Sequence, residues 1–199
     1  MPQLVLLGVG AMNSPRYRPA GLLVTWARHR VMLDGGGSAD PGGTLDAWLV
    51  SDEHAELMPQ IRRRAAELGV SAVIGPFEAN DVRLRPLPVR HTSHPTVGYL
   101  IETARQKAVW APEFCDFPEW AAGADLMFAD AAGWNRPIHF ARRVGGHACV
   151  RDVAEAARRA GVRRLVFAHI GRPSIRAIDR GERPPFGRWG REGAEFRLH

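Results

Sequence analysis

Cysteine is almost absent from this chain. Cys115 and Cys149 are the only two among 199 residues. Two unpatterned thiols can neither staple a fold with disulfides nor build an all-thiolate zinc site. Both are expected as reduced thiols, with Cys149 facing a core. Long apolar runs are also missing: nothing approaches the ~18 residues that a membrane-spanning helix needs, so no membrane partner is expected. The opening MPQLVLLGVG lacks the basic segment that precedes the apolar region of a signal peptide. It reads as a buried first strand, and a cytoplasmic location is expected. Lysine is reduced to Lys107 alone, so nearly all of the 27 basic residues are arginine.

The formal charge of +6 and the pI near 10.5 favour polyanionic partners through counterion release. The arginines are scattered along the sequence rather than gathered in one block, which is the pattern of a solvated basic surface. A small anionic substrate is compatible with this charge, and RNA gains only weak support from it. No internal repeat, linker or low-complexity tract interrupts the chain. Its length fits a single domain over 1–199 with enough residues to bury a sizeable core.

What is present is a series of strands that end in polar residues. Gln3–Leu7 is apolar and ends at Gly8. Gly21–Trp26 and Arg30–Leu33 read as two strands joined by a tight turn, followed by Asp34 and three glycines. Ala47–Val50 is strand-like and runs into Asp52, His54 and Glu56, with a helix expected from Glu56 to Leu68. Ser71–Ile74 is a short strand. Pro86 and Pro88 make Val82–Val89 an edge or irregular strand. Val97–Ile101 and Ala108–Trp110 read as a hairpin, and Phe117–Ala122 as a short helix. Asp125–Ala129 is an apolar strand ending in Asp130, followed by an irregular stretch over Ala131–Gly146. A helix over Arg151–Ala160 precedes a strand, Arg164–Ala168, that ends at His169. Strands that come first in a run and then alternate with helices predict layered α/β packing.

Four groups with metal-ligand chemistry therefore lie at predicted strand ends: Asp52/His54/Glu56, His91, Asp130 and His169. For one histidine alone, a hydrogen-bonded structural role is the commoner reading. Their shared position shifts the balance, because ending a buried strand in Asp or His is costly unless the group is paired. Mixed imidazole and carboxylate donors suit zinc, manganese or iron.

These stretches resemble the metallo-β-lactamase superfamily, and specifically the branch holding ribonuclease Z and the phosphonate-pathway cyclic phosphodiesterases. LVLLGVGAMNSPRYRPAGLLV followed by RVMLDGGG is similar to that branch's opening. SDEHAEL occupies the register of its H-x-H-x-D-H signature. PVRHTSHPTVGYLIE resembles the segment with the next metal-binding histidine, for which His91 matches by register and His94 is the alternative. ADLMFAD looks like the strand delivering a bridging aspartate, and GGHACVRDVAEAARRAGVRRLVFAHIGRP like the segment delivering the last ligand.

The resemblance implies an αββα sandwich, two mixed sheets packed face to face with helices outside. It implies one or two divalent ions, zinc or manganese, held by Asp52, His54, Glu56, His91, Asp130 and His169. Its carry-over divides them into a first site of Asp52, His54, His91 and Asp130 and a second of Glu56, His169 and Asp130. Asp130 and His147 are the implied catalytic residues, His147 beside the substrate phosphate. The implied activity is hydrolysis of a small or cyclic phosphodiester by metal-activated water. The signature itself departs from the pattern: Asp52 stands for histidine, Glu56 for aspartate and Leu57 for histidine. That departure supports the alternative of a catalytically degenerate member that binds a ligand or partner.

Overall fold

The computed structural model describes residues 1–141 and 144–199. The first sheet is built from β1 (Gln3–Gly8), β2 (Gly21–Trp26), β3 (His29–Asp34), β4 (Ala47–Leu49) and, after helix α1 (Met58–Glu67), β5 (Ala72–Val73). The second sheet follows with β6 (Phe77–Ala79), β7 (Val82–Val89), β8 (Thr96–Glu102), β9 (Lys107–Ala111) and β10 (Leu126–Ala131). A two-stranded ribbon, β11 (Ile138–His139) with β12 (Gly146–His147), precedes helix α2 (Val150–Arg159). The chain then continues through β13 (Leu165–Ile170), α3 (Arg172–Asp179), β14 (Arg188–Trp189) and β15 (Glu195–Arg197).

The sheet orders are β15-β1-β2-β3-β4-β5 and β14-β13-β10-β9-β8-β7-β6. Both are mixed: β3, β4 and β5 run parallel, as do β9, β10, β13 and β14, while the remaining neighbours are antiparallel. The core between the sheets joins Leu4, Leu22 and Leu33 to Tyr99, Trp110 and Phe128, all fully buried. On the outer side of the first sheet, Met58, Ile61 and Ala65 of α1 pack with Met32 and Trp48. Helix α2 contributes Val150, Val153, Ala154 and Ala157 against β10 and β13. Strands β10 and β13 are buried on both faces, and their residues are accordingly almost continuously apolar. The αββα sandwich expected from the sequence is the architecture observed.

Three local differences from the sequence reading have physical causes. Helix α1 begins at Met58, not Glu56, because Pro59 occupies its first turn and the Asp52 side chain takes the His54 N–H at 2.7 Å. Residues 52–57 are therefore a turn. The proline-bearing half of β7 is an edge as expected, but Arg83 and Leu84 pair with β6 as well as β8. The stretch expected to be irregular contains the β11–β12 ribbon; residues 142 and 143 within it lie outside the described residues.

The ends of the parallel strands carry the unusual backbone. Asp34 and His169 both have positive φ, 51° and 54°, uncommon for residues other than glycine. At β10–β13 the register runs Asp130↔Ala168 and then Ala131↔Ile170, so His169 is the extra residue of a bulge. Bulges re-aim a side chain, and here the imidazole is the one redirected. Gly36 lets the loop after β3 lie against α1: a Cβ there would meet Ile61 Cγ1 at 2.6 Å.

Candidate metal centre

The carboxyl ends of β3, β4, β9, β10 and β13 deliver Asp34, Asp52, Glu113, Asp130 and His169 to one end of the sandwich. Ligands in α/β sheets bind at this position, beyond the ends of parallel strands. The delivered residues form three interacting groups.

The first centres on Glu113, one residue beyond Pro112 at the end of β9. Its Oε2 lies 3.2 Å from His91 Nε2, and its Oε1 lies 3.0 Å from His169 Nδ1. Both imidazoles are buried. His91 Nδ1 donates to the Gly146 carbonyl at 2.9 Å, which leaves Nε2 facing Glu113. Burial alone would lower the His169 pKa, but the Glu113 carboxylate outweighs it and raises His169 to about 9. The same competition raises His91, where burial again opposes and the hydrogen bond to Glu113 prevails. Glu113 is held well below the ordinary carboxylate range: burial works to raise it, and the facing charge of His169 and the two histidine contacts prevail.

The second group pairs Asp130 with His147. Asp130 Oδ2 lies 2.8 Å from His147 Nδ1 and accepts the Phe114 N–H at 3.1 Å, while Oδ1 accepts the Ala132 N–H at 2.8 Å. The carboxylate is fully buried and has three partners. His147 stands 4.6 Å from the His91 ring and 5.1 Å from the His169 ring, centroid to centroid. Phe140 packs edge-on against both His91 and His147. The first two groups are thus contiguous, and Asp130, His147 and His169 each place a ligand atom within 4.8 Å of the others.

The third group lies on the turn after β4. His94 Nε2 is 2.9 Å and 3.0 Å from the two Asp52 oxygens. The His54 ring packs over His94 at 4.4 Å, with Nδ1 3.9 Å from Asp52. Asp52 is buried, but the His54 side chain is 66% exposed.

Asp52, Glu113 and His169 face a common cavity of about 50 Å³, together with Asp34, Ser51, Leu57, Met58 and Ile61. Asp34 is itself fixed: its Oδ1 accepts the Ser51 N–H at 2.6 Å and its Oδ2 the Trp110 indole N–H at 2.7 Å. Burial, partly countered by these bonds, pushes its pKa up to about 6. Three carboxylates thus line the cavity with no arginine or lysine among its lining residues.

The implied ligand set is rearranged by this geometry. Asp52 and His54 do come together, but their histidine partner is His94 rather than His91. His91 meets Glu113 instead. Asp130 is joined to His147 and His169 and is not part of the Asp52 group. Glu56 is exposed and belongs to neither of the His/Asp groups that meet metal-ligand spacing among the described residues. Glu113 was missed, although it carries the same signal that singled out Asp130 and His169: an apolar strand, KAVWA, ending within two residues of a carboxylate.

A family profile for the beta-lactamase superfamily domain matches residues 20–170. The chain belongs to that superfamily. Solved structures similar to this superfamily member include the metallo-β-lactamase fold protein YhfI from Bacillus subtilis. It has a TM-score of 0.76 at 13% identity, with 99% of this chain and 100% of that one covered. A diphosphatase of the PhnP family gives 0.74 at 16% identity, covering 98% and 96%. The short form of human tRNase Z gives 0.70 at 10% identity, covering 99% of each. At these identities the likeness is one of fold, and that fold is the metallo-β-lactamase sandwich. A comparison with curated protein sequences finds no match.

Proposed function

We propose that this chain is a metal-dependent hydrolase of a phosphodiester, with Glu113 and His169 as the principal metal-holding residues. One observation carries the reading: three carboxylates, Asp34, Asp52 and Glu113, converge with His169 on one small cavity that no arginine or lysine lines. Three carboxylates outnumber the one imidazole, so the cavity's net electrostatic demand is for a cation. The donor chemistry fits a divalent ion. Imidazole and carboxylate are borderline and hard ligands suited to zinc or manganese. His91 orients Glu113, its own tautomer fixed by the Nδ1–H bond to a backbone carbonyl. The cavity's volume admits an ion and water and leaves the substrate to approach from its mouth.

A divalent ion bound there supplies Lewis-acid polarisation and an activated water. The protein supplies the rest. Glu113 and Asp52 offset positive charge brought into the cavity. Asp130, locked by two backbone N–H groups, holds His147 by Nδ1, so His147 Nε2 is the atom available to move a proton to the leaving oxygen. Phe140 shields the paired histidines from bulk water on one side. The similarity to a PhnP-family diphosphatase and to a tRNase Z supports a phosphate linkage as the bond cleaved, and the second favours a phosphodiester.

Asp52, His54 and His94 are the candidate residues for a second ion. The alternative reading, a non-catalytic binding protein, draws support from this same place. The Asp52–His94 pair is satisfied without an ion, and Leu57, Met58 and Ile61 make the adjoining wall apolar. Elemental analysis of untagged protein, combined with turnover of bis(p-nitrophenyl) phosphate after loading with zinc or manganese, separates the two. Bound metal with turnover that is lost in His147→Ala supports the hydrolase. No metal uptake at any concentration supports the binding protein.

A further inference from the structure

We propose that the groove between the two outermost strands, β14 and β15, is a docking site for the sugar–phosphate backbone of a single nucleic-acid strand. Strand β14 closes one end of the second sheet and β15 the corresponding end of the first. Between these two edges lies a cavity of about 570 Å³, lined by Arg183, Arg188, Arg191, Trp189 and Phe196 among others. It is more than ten times the volume of the cavity at the metal centre, and it lies apart from that centre, with no lining residue in common.

The charge is of one sign. Arg183, Arg188 and Arg191 are all exposed and converge on the groove. Among the described residues none of the three is in an ion pair, whereas Arg16, Arg64, Arg85 and Arg163 elsewhere each face a carboxylate. Arg188 is held in position by packing rather than by charge, its guanidinium 5.1 Å from the centre of the Phe196 ring. Stacking of this kind leaves the guanidinium's edge N–H groups free for planar, bidentate contact with phosphate oxygens. The floor is fixed. Gly187 and Gly190 press the chain onto β13, where a Cβ would meet Leu165 Cβ and the Phe167 carbonyl at 2.8 Å and 2.7 Å.

The shape and chemistry favour a nucleic-acid strand over an acidic peptide added as an extra β-strand. The two edges offer only two and three residues of strand, and arginine on an edge discourages strand pairing. Trp189 is not a free stacking surface, since its indole N–H is bonded to the Glu182 carbonyl and its ring packs on Trp134 and Phe167. Recognition here is therefore of the backbone and independent of sequence. The volume admits one or two nucleotides of a flexible strand and not a duplex. This inference does not rest on the hydrolase reading, because docking needs no ion.

Binding of a fluorescent 20-nucleotide poly(U) strand is measured by anisotropy in chelator across a salt series. The unmodified protein is compared with Arg183→Gln/Arg188→Gln/Arg191→Gln and with Arg28→Gln/Arg63→Gln/Arg105→Gln, a control of equal charge change away from the groove. The groove variant is expected to bind roughly 10- to 100-fold more weakly, with the salt slope reduced by about 2, as loss of three phosphate contacts on a single strand requires. The control is expected to stay within about threefold. Should removal of Arg188 from Phe196 unfold the triple variant, Arg183→Gln/Arg191→Gln retains the test with a slope change of about 1.4. No binding by the unmodified protein at low salt, an equal loss in the control, or equal competition by polyglutamate would each overturn the proposal.

Discussion

The Glu113 and Asp52 groups both pair a carboxylate with two histidines at the same end of the sandwich, yet they are built differently. Glu113 joins His91 and His169, both buried, and thereby ties together the ends of β7, β9 and β13. Asp52 joins His94 and His54 on a surface turn, with His54 mostly exposed. Burial makes the first group depend on its partners: low effective dielectric strengthens each contact and makes an unpaired member expensive. Water reaches the histidines of the second group, so losing one of them costs less in folding than losing Glu113. The altered signature residues lie in the accessible group, while the buried one joins a glutamate to two histidines.

Glu113→Ala is expected to give one of the two largest effects. It strands two buried histidines and should cost about 3–5 kcal/mol of stability, as breaking a buried pair does. Denaturant melts would measure it. Asp34→Ala, also within the buried frame, leaves the Ser51 N–H and the Trp110 indole N–H without acceptors. At ~1–3 kcal/mol per unsatisfied group, a loss of about 2–6 kcal/mol is expected in the same assay. Asp130→Asn acts on chemistry. It weakens the hold on His147 and should reduce kcat by about 10²- to 10⁴-fold with little change in KM, measured on a model phosphodiester. His94→Ala tests the more accessible group: the buried Asp52 carboxylate loses the imidazole but keeps the His54 N–H, and a stability loss of about 1–2 kcal/mol is expected. A loss as large as that of Glu113→Ala would erase the distinction between the two groups. Glu56→Ala is expected to change stability by less than about 0.5 kcal/mol and to leave metal content unchanged.

Much of this was legible before the structure. Apolar runs ending in Asp or His located the ends of β10 and β13, and the paired register of Val97–Ile101 with Ala108–Trp110 predicted a hairpin that β8 and β9 form. The same strand-end rule would have reached Glu113 had it been applied beyond the motif positions. What sequence spacing could not resolve was which side chains meet. His91 and His94 are three residues apart on one loop, and only its folded path sends one to Glu113 and the other to Asp52. Nor could spacing show that Asp130 would have three partners, two of them backbone N–H groups, or that a bulge would redirect His169. The three groove arginines lie within nine residues of one another, but their convergence depends on two strand edges from different sheets.

The most direct test of the candidate metal centre is the metal stoichiometry of the unmodified protein beside that of Glu113→Gln, which keeps the side chain's size and removes its charge. Both are purified without chelator, loaded with zinc or manganese, desalted and subjected to elemental analysis alongside circular dichroism to confirm folding. The unmodified protein is predicted to retain at least about one equivalent, and folded Glu113→Gln to retain it at least ~10-fold more weakly. Equal retention by the two proteins, or none by the unmodified one, would contradict the assignment of Glu113 and His169 as the metal-holding residues.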